Sequence, residues 1–185
     1  MSAVQIQGNA SGTGTLTIAA PNTNTNQTLT LPDNTGTLLS TASTFAGTGP
    51  AFSTYLSANF SLSFNANTKV TFDTEDFDTN NNFASNRFTP TVAGYYQISV
   101  GFGLTAAQTS SLSLIVYIYK NGASVGQAIG TGAASFPGSA VSKLIYFNGS
   151  TDYVEAYAYT NVAAGVTIQG GSAFSFFTGA MIRAA

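Results

Sequence analysis

Between Tyr96 and Leu104 every second residue is apolar: Tyr96, Ile98, Val100, Phe102 and Leu104 alternate with Gln97, Ser99, Gly101 and Gly103. A period of two places one set on each face of a pleated strand, so one face is buried and the other is not. The pattern recurs. Leu112, Leu114, Val116 and Ile118 form a second row, followed by Lys120-Asn121-Gly122. Asn-Gly is a strong hairpin signal, because both residues tolerate positive φ. Leu144, Tyr146 and the Asn148-Gly149 turn repeat the design, then Val154, Ala156 and Ala158 alternate with Tyr153, Glu155, Tyr157 and Tyr159. A final strand is expected over Phe174–Ile182. No stretch carries an apolar stripe of helical period. Residues 51–185 therefore read as one all-β domain, a β-sandwich of the jelly-roll kind with roughly ten strands.

Composition narrows the chemistry. Charged residues make up 6% of the chain, against roughly 25% in an average soluble domain. Cys, His and Trp are absent, which excludes disulfides, thiolate zinc sites and imidazole- or thiol-based catalysis. A net charge of −2 with five basic residues does not supply a groove for a phosphate backbone, so no nucleic acid is expected. No apolar run reaches the ~18 residues of a membrane helix, and residues 1–20 lack the basic and apolar regions of an export signal. An outer-membrane barrel suits the low charge but needs export, so membrane insertion is not expected. Soluble monomers normally display many charges. A surface of Asn, Thr, Ser and Gly suits a chain buried against copies of itself.

Residues 1–48 differ from the rest. Asp33 is their sole charge and Phe45 their sole aromatic. Thr15–Ile18 and Thr28–Leu31 repeat a Thr-Leu-Thr-apolar pattern, each near a proline, Pro21 or Pro32. Such short β pieces cannot form a core alone. Leu16, Ile18, Leu29, Leu31 and Pro32 are the expected docking residues of an N-terminal arm, since alternating apolar residues serve no purpose in a linker.

The second face of two strands is aromatic. Tyr117 and Tyr119 point opposite to Val116 and Ile118, and Tyr153, Tyr157 and Tyr159 opposite to Val154, Ala156 and Ala158. Either loops cover these rings or a neighbouring subunit does. The subunit interface is the expectation, because tyrosine pairs a large apolar area with a hydroxyl.

Four of the seven acidic residues lie in Asp73-Thr74-Glu75-Asp76-Phe77-Asp78. Asp73, Asp76 and Asp78 are candidate calcium ligands, as oxygen donors at short spacing suit a hard cation. The run lacks a calcium-loop pattern, and a solvated acidic loop is the plainer reading, so no cofactor is required. Paired carboxylates also cleave glycosidic bonds, but one acidic cluster without a cleft does not make an enzyme. Asp152 is expected to serve the 148–152 turn. Lys69, Arg87, Lys120, Lys143 and Arg183 are dispersed, with no readable basic patch. Loops 78–86, 106–111 and 130–138 are candidate carbohydrate-binding loops, because loops on a rigid sandwich usually carry binding.

The ordered set Ala51-Phe52-Ser53, Lys69-Val70-Thr71-Phe72, Phe88-Thr89-Pro90 with Gly94-Tyr95-Tyr96, Ile118-Tyr119-Lys120-Asn121-Gly122, Asp152-Tyr153-Val154 and Phe177-Thr178-Gly179 with Met181-Ile182 resembles the globular head of complement component one q. That head belongs to the tumour-necrosis-factor-like jelly-roll superfamily. The resemblance covers 51–185 and implies a ten-stranded jelly roll assembled as a homotrimer. Thr28 to Leu38, Thr-Leu-Thr-Leu-Pro-Asp-Asn-Thr-Gly-Thr-Leu, resembles segments of tailed-bacteriophage fibre proteins. No collagen stem is present, since Gly does not recur every third residue.

Together the resemblances imply a non-enzymatic virion protein: a trimeric tail-fibre knob held to other virion proteins by residues 1–48, touching a host-surface glycan or protein. A capsid head fibre or decoration protein is the alternative, favoured by a length that leaves no long shaft. A polysaccharide-degrading tailspike and a bacterial lectin are more distant readings. The expected location is the virion exterior, after synthesis in the host cytoplasm.

Overall fold

The computed structural model describes residues 11–14, 17, 24–26, 28, 49–105, 113–131, 138–163 and 166–185. The chain divides into two compact units, Met1–Leu38 and Leu39–Ala185. Leu16, Ile18, Leu29, Leu31 and Pro32 lie outside the described residues, as do Leu112 and the loop 106–111.

The second unit is built from β-strands, with no helix among the described residues. In chain order they are β1 (Ala51–Tyr55), β2 (Phe60–Ser61), β3 (Thr68–Lys69), β4 (Thr74–Asp78), β5 (Phe83–Ala84), β6 (Arg87–Phe88), β7 (Ala93–Gly103), β8 (Ser113–Lys120), β9 (Ala123–Thr131), β10 (Gly138–Asn148), β11 (Val154–Thr160), β12 (Thr167–Ile168) and β13 (Ser175–Ala184). Thirteen strands among the described residues replace the roughly ten expected, because five of them, β2, β3, β5, β6 and β12, are two-residue pairings. Sheet one has the order β10-β7-β13-β1-β4 and sheet two β5-β6-β11-β8-β9, with β3 also on β11. Neighbouring strands in both sheets run antiparallel. Two sheets packed face to face with strands far apart in sequence lying side by side make a jelly-roll sandwich.

The alternation dictates which face is inside. Tyr96, Ile98, Val100 and Phe102 on β7 are buried, and so are Leu114, Val116 and Ile118 on β8 and Val154, Ala156 and Ala158 on β11. Phenylalanines bind the two sheets together. Phe52 stacks on Phe88 at 4.2 Å and meets Phe177 edge-on at 4.9 Å. Each such ring stabilises by about 1.5–3 kcal/mol through burial, and a well-placed pair adds about 0.5–1.5 kcal/mol. Tyr96 is the one tyrosine fully inside among the described residues. Its hydroxyl donates to the Val92 carbonyl at 2.8 Å, and burial pushes its pKa up to about 12.

The β8–β9 hairpin turns at Asn121 and Gly122, both at positive φ (52° and 82°), as the Asn-Gly signal requires. Pro50 accepts a hydrogen bond from Met181, and the Ala185 N–H donates to Ala93, so the start of β1 and the end of β13 share one end.

Candidate functional site

The sandwich presents two outer faces, and they differ in kind. On sheet two, β11 pairs with β8 in a register that puts Tyr157 opposite Tyr117 and Glu155 opposite Tyr119. The rings fill each other's space. Tyr119 stacks on Tyr157 at 4.3 Å, and Tyr117 stands edge-on to Tyr119 at 5.8 Å. Asn67 donates to the Tyr119 hydroxyl at 3.0 Å, and the Tyr159 hydroxyl donates to Asn65 at 2.5 Å. All five tyrosines named from the sequence lie on this side, half-buried against their own neighbours. Burial raises the pKa of Tyr117 and of Tyr157, with the Glu155 charge adding to the latter.

Beneath the rings sits an ion triad that the sequence did not reveal. Glu155 is 4% exposed. Its Oε1 accepts from Lys69 Nζ at 2.7 Å and from Arg87 at 2.8 and 3.1 Å. The Arg87 guanidinium lies over the Tyr153 ring at 4.1 Å. Burial alone would raise the Glu155 pKa; the hydrogen bonds and charges of Lys69 and Arg87 outweigh it and hold the carboxyl below 4.5. Lys69 and Arg87, read as dispersed in the sequence, are thus brought together. Their meeting depends on β3 and β6 both pairing with β11, which no local pattern encodes. The one sequence signal was a glutamate between two buried strand residues, Val154 and Ala156.

The outer face of sheet one is less satisfied. Ser53, Thr178, Ser99 and Ser142 form a row of small hydroxyl residues across β1, β13, β7 and β10. A second row reads Ala51, Ala180, Gln97 and Leu144. Neither row holds a charge. Around them Leu144 is 53%, Ile182 65% and Phe77 50% exposed, and Tyr95 meets Tyr146 at 5.4 Å with both rings largely open. Gly101 lets the Phe176 ring lie against the sheet, since a Cβ there would sit 2.4 Å from it. Three shallow depressions of about 360, 390 and 550 Å³ open on this face.

Among the described residues no three acidic, His or Cys side chains converge as a metal centre would require. Asp73 accepts from the Ser57 N–H and hydroxyl, both at 2.7 Å, which lowers its pKa. Asp76 accepts from the Ser53 hydroxyl at 2.9 Å, and Asp78 from the Phe83 N–H at 2.7 Å. Each carboxylate serves a different loop or strand. Asp152 does close the 148–152 turn, accepting from Asn148 and Asn121 and pairing with Lys120 at 2.8 Å. Hydrogen bonds from Lys120 and Asn121 lower its pKa. Arg183, at the open edge near Tyr95 and Leu144, makes no ion pair with the described residues.

This architecture is that of the complement-q and tumour-necrosis-factor-like jelly rolls. The globular domain of zebrafish complement 1qA superposes with a TM-score of 0.51 at 18% identity, over 74% of this chain and 99% of that one. Murine APRIL superposes at 0.52 with 7% identity, over 72% of this chain and 99% of the other. At such identities the likeness is one of fold. No protein-family profile and no curated protein sequence matches the chain.

Proposed function

We propose that this chain is a non-enzymatic structural protein of a tailed-bacteriophage virion, with a jelly-roll head that self-associates as a homotrimer. The observation that carries self-association is the outer face of sheet one: two rows of uncharged, mostly small side chains, with Asp76 bonded to Ser53 and Arg183 near Leu144 at their margins, bordered by exposed Leu144, Ile182, Tyr95 and Phe77. Small residues allow close approach, and an apolar patch of this kind marks an interaction surface. The tyrosine face of sheet two, the interface expected from the sequence, is less suited, because its rings already cover one another. The likeness of fold to complement-q and tumour-necrosis-factor-like domains agrees with this reading.

The virion assignment rests on residues 28–38 and on the low charge of the chain. In this reading residues 1–48 hold the head to other virion proteins, at the tail or on the capsid exterior. Native mass spectrometry of the full chain tests the assembly. A mass of three times 19.0 kDa is expected; a mass of one chain overturns the trimer. An antibody to the head, applied to virions, tests the location. Label on the tail supports a fibre knob, label on the capsid a head fibre or decoration protein, and unlabelled particles overturn the virion role.

A further inference from the structure

We infer that the tyrosine face of sheet two is a binding surface for an acidic glycan. The inference rests on the assembly proposed above, in which sheet one is covered by other copies and sheet two faces outward. Three features point to this ligand.

Charge is the first. Two cations, Lys69 and Arg87, share one carboxylate, Glu155, so the cluster carries a surplus positive charge in a chain whose net charge is −2. Arg87 bonds Glu155 through Nε and Nη2, its other terminal nitrogen has no hydrogen-bond partner among the described residues, and its side chain is 40% exposed. A guanidinium edge of this kind suits a carboxylate or sulfate. The second feature is hydroxyl chemistry. The Tyr117 and Tyr153 hydroxyls have no partner among the described residues, so both remain to bond a sugar. Rigidity is the third. The rings are locked by stacking and by the amides of Asn65 and Asn67, so little side-chain entropy is lost when a ligand settles. A pyranose offers what such a floor accepts: a rim of hydroxyls for the phenol groups of Tyr117 and Tyr153. A protein partner would instead call for a wider unsatisfied apolar area, which sheet one displays with Leu144, Ile182 and Phe77, while Ile129 is the one large exposed apolar side chain on the described strands of sheet two.

The experiment titrates the full chain with sialyllactose against lactose and with tetragalacturonate against maltotetraose. Tyrosine emission reports binding, with no Trp present to mask it, and native mass is recorded on the same samples. At least one acidic sugar is expected to bind about tenfold more tightly than its neutral partner, and to weaken as salt screens the charge. Gln127 is exposed on β9 directly across from Tyr117. Gln127→Glu, with its fold confirmed by circular dichroism, is expected to weaken that binding about tenfold without changing the mass. Tyr117→Phe, which removes the free hydroxyl alone, is expected to weaken it by a smaller factor. Equal affinity for acidic and neutral sugars overturns the inference, and so do the absence of binding by all four and an unaltered Gln127→Glu. A mass above the trimer that Gln127→Glu abolishes also overturns it, by putting another copy on this face. The native mass decides the assembly reading separately: a trimer that binds nothing sinks the glycan alone.

Discussion

Sheet one and sheet two each show the solvent a row of aromatic and aliphatic residues, yet sheet one leaves more of them bare: Leu144, Ile182, Phe77, Tyr95 and Tyr146 are exposed there, against Ile129 on sheet two. On sheet two, Tyr117, Tyr119 and Tyr157 lean on one another and cover a neutralised carboxylate. On sheet one, Leu144 and Ile182 stand above serines, alanines and glycines too small to shelter them. Aromatic content alone therefore does not tell which face is left uncovered. What marks a contact surface is apolar area that a chain's own neighbours fail to cover.

The sharpest way to break this contrast is to charge the sheet-one floor. Ser99→Glu sets a carboxylate in the middle of the hydroxyl row, beside Ser142 at 2.6 Å. Complete loss of the oligomer is expected by native mass, with the β signature in circular dichroism retained, because an unpaired charge in a closed interface costs several kcal/mol. An equivalent charge on sheet two, Gln127→Glu, is expected to leave the mass unchanged. Should the two variants trade outcomes, the faces have been assigned the wrong way round.

A second test sharpens the account of sheet two. Glu155→Ala leaves Lys69 and Arg87 facing each other across a vacated site. Breaking a fully buried pair costs ~3–5 kcal/mol. Here the cations keep 27% and 40% exposure, so solvent screening reduces the expected loss to about 2–3 kcal/mol in urea unfolding at fixed protein concentration.

The third is a pH profile. The Glu155 carboxyl is depressed in the folded state from 4.5, so the unfolded chain takes up protons first as pH falls. Its contribution is fully present above 4.5 and is lost as pH drops through the lower folded value. Asp152 acts in the same sense below 3.8. The urea midpoint is expected to be level from neutrality to about pH 5 and to fall below it. In Glu155→Gln that fall is expected to start at lower pH.

The smallest effect separates two phenols. Tyr159→Phe loses the bond to Asn65 and is expected to cost about 0.5–1.5 kcal/mol. Tyr153→Phe removes a hydroxyl without a partner among the described residues and is expected to stay within about 0.5 kcal/mol of wild type. Equal losses would show that the Asn65 bond contributes nothing.

These comparisons also explain what sequence could convey. The alternation from Tyr96 to Phe102 placed β7 and its core face correctly, and Asn121-Gly122 placed a hairpin, since both signals act over a few residues. β13 runs to Ala184, two residues past the expected end, because the register shift between Met181 and Arg183 lets pairing with β7 continue. The alternation also identified which tyrosines point outward. It carried no information about saturation, which depends on the diagonal meeting of Tyr119 with Tyr157 across two strands far apart in the chain. For the same reason the Lys69–Glu155–Arg87 triad was illegible: three short pieces supply it, and sheet order alone brings them together. The spacing of Asp73, Asp76 and Asp78 invited a cation, whereas the nearby Ser57, Ser53 and Phe83 donors engage them one by one.

The placement of β1 has a mechanical consequence. A force applied at Pro50 enters directly a strand held on both sides, by β13 and by β4. Antiparallel hydrogen bonds lie across the strand axis. A load drawn along β1 while the opposite end of the sandwich is held therefore acts on these bonds in shear, all at once, and not by peeling them one after another. Under such a load the pairings of β1 with β13 and with β4 resist together.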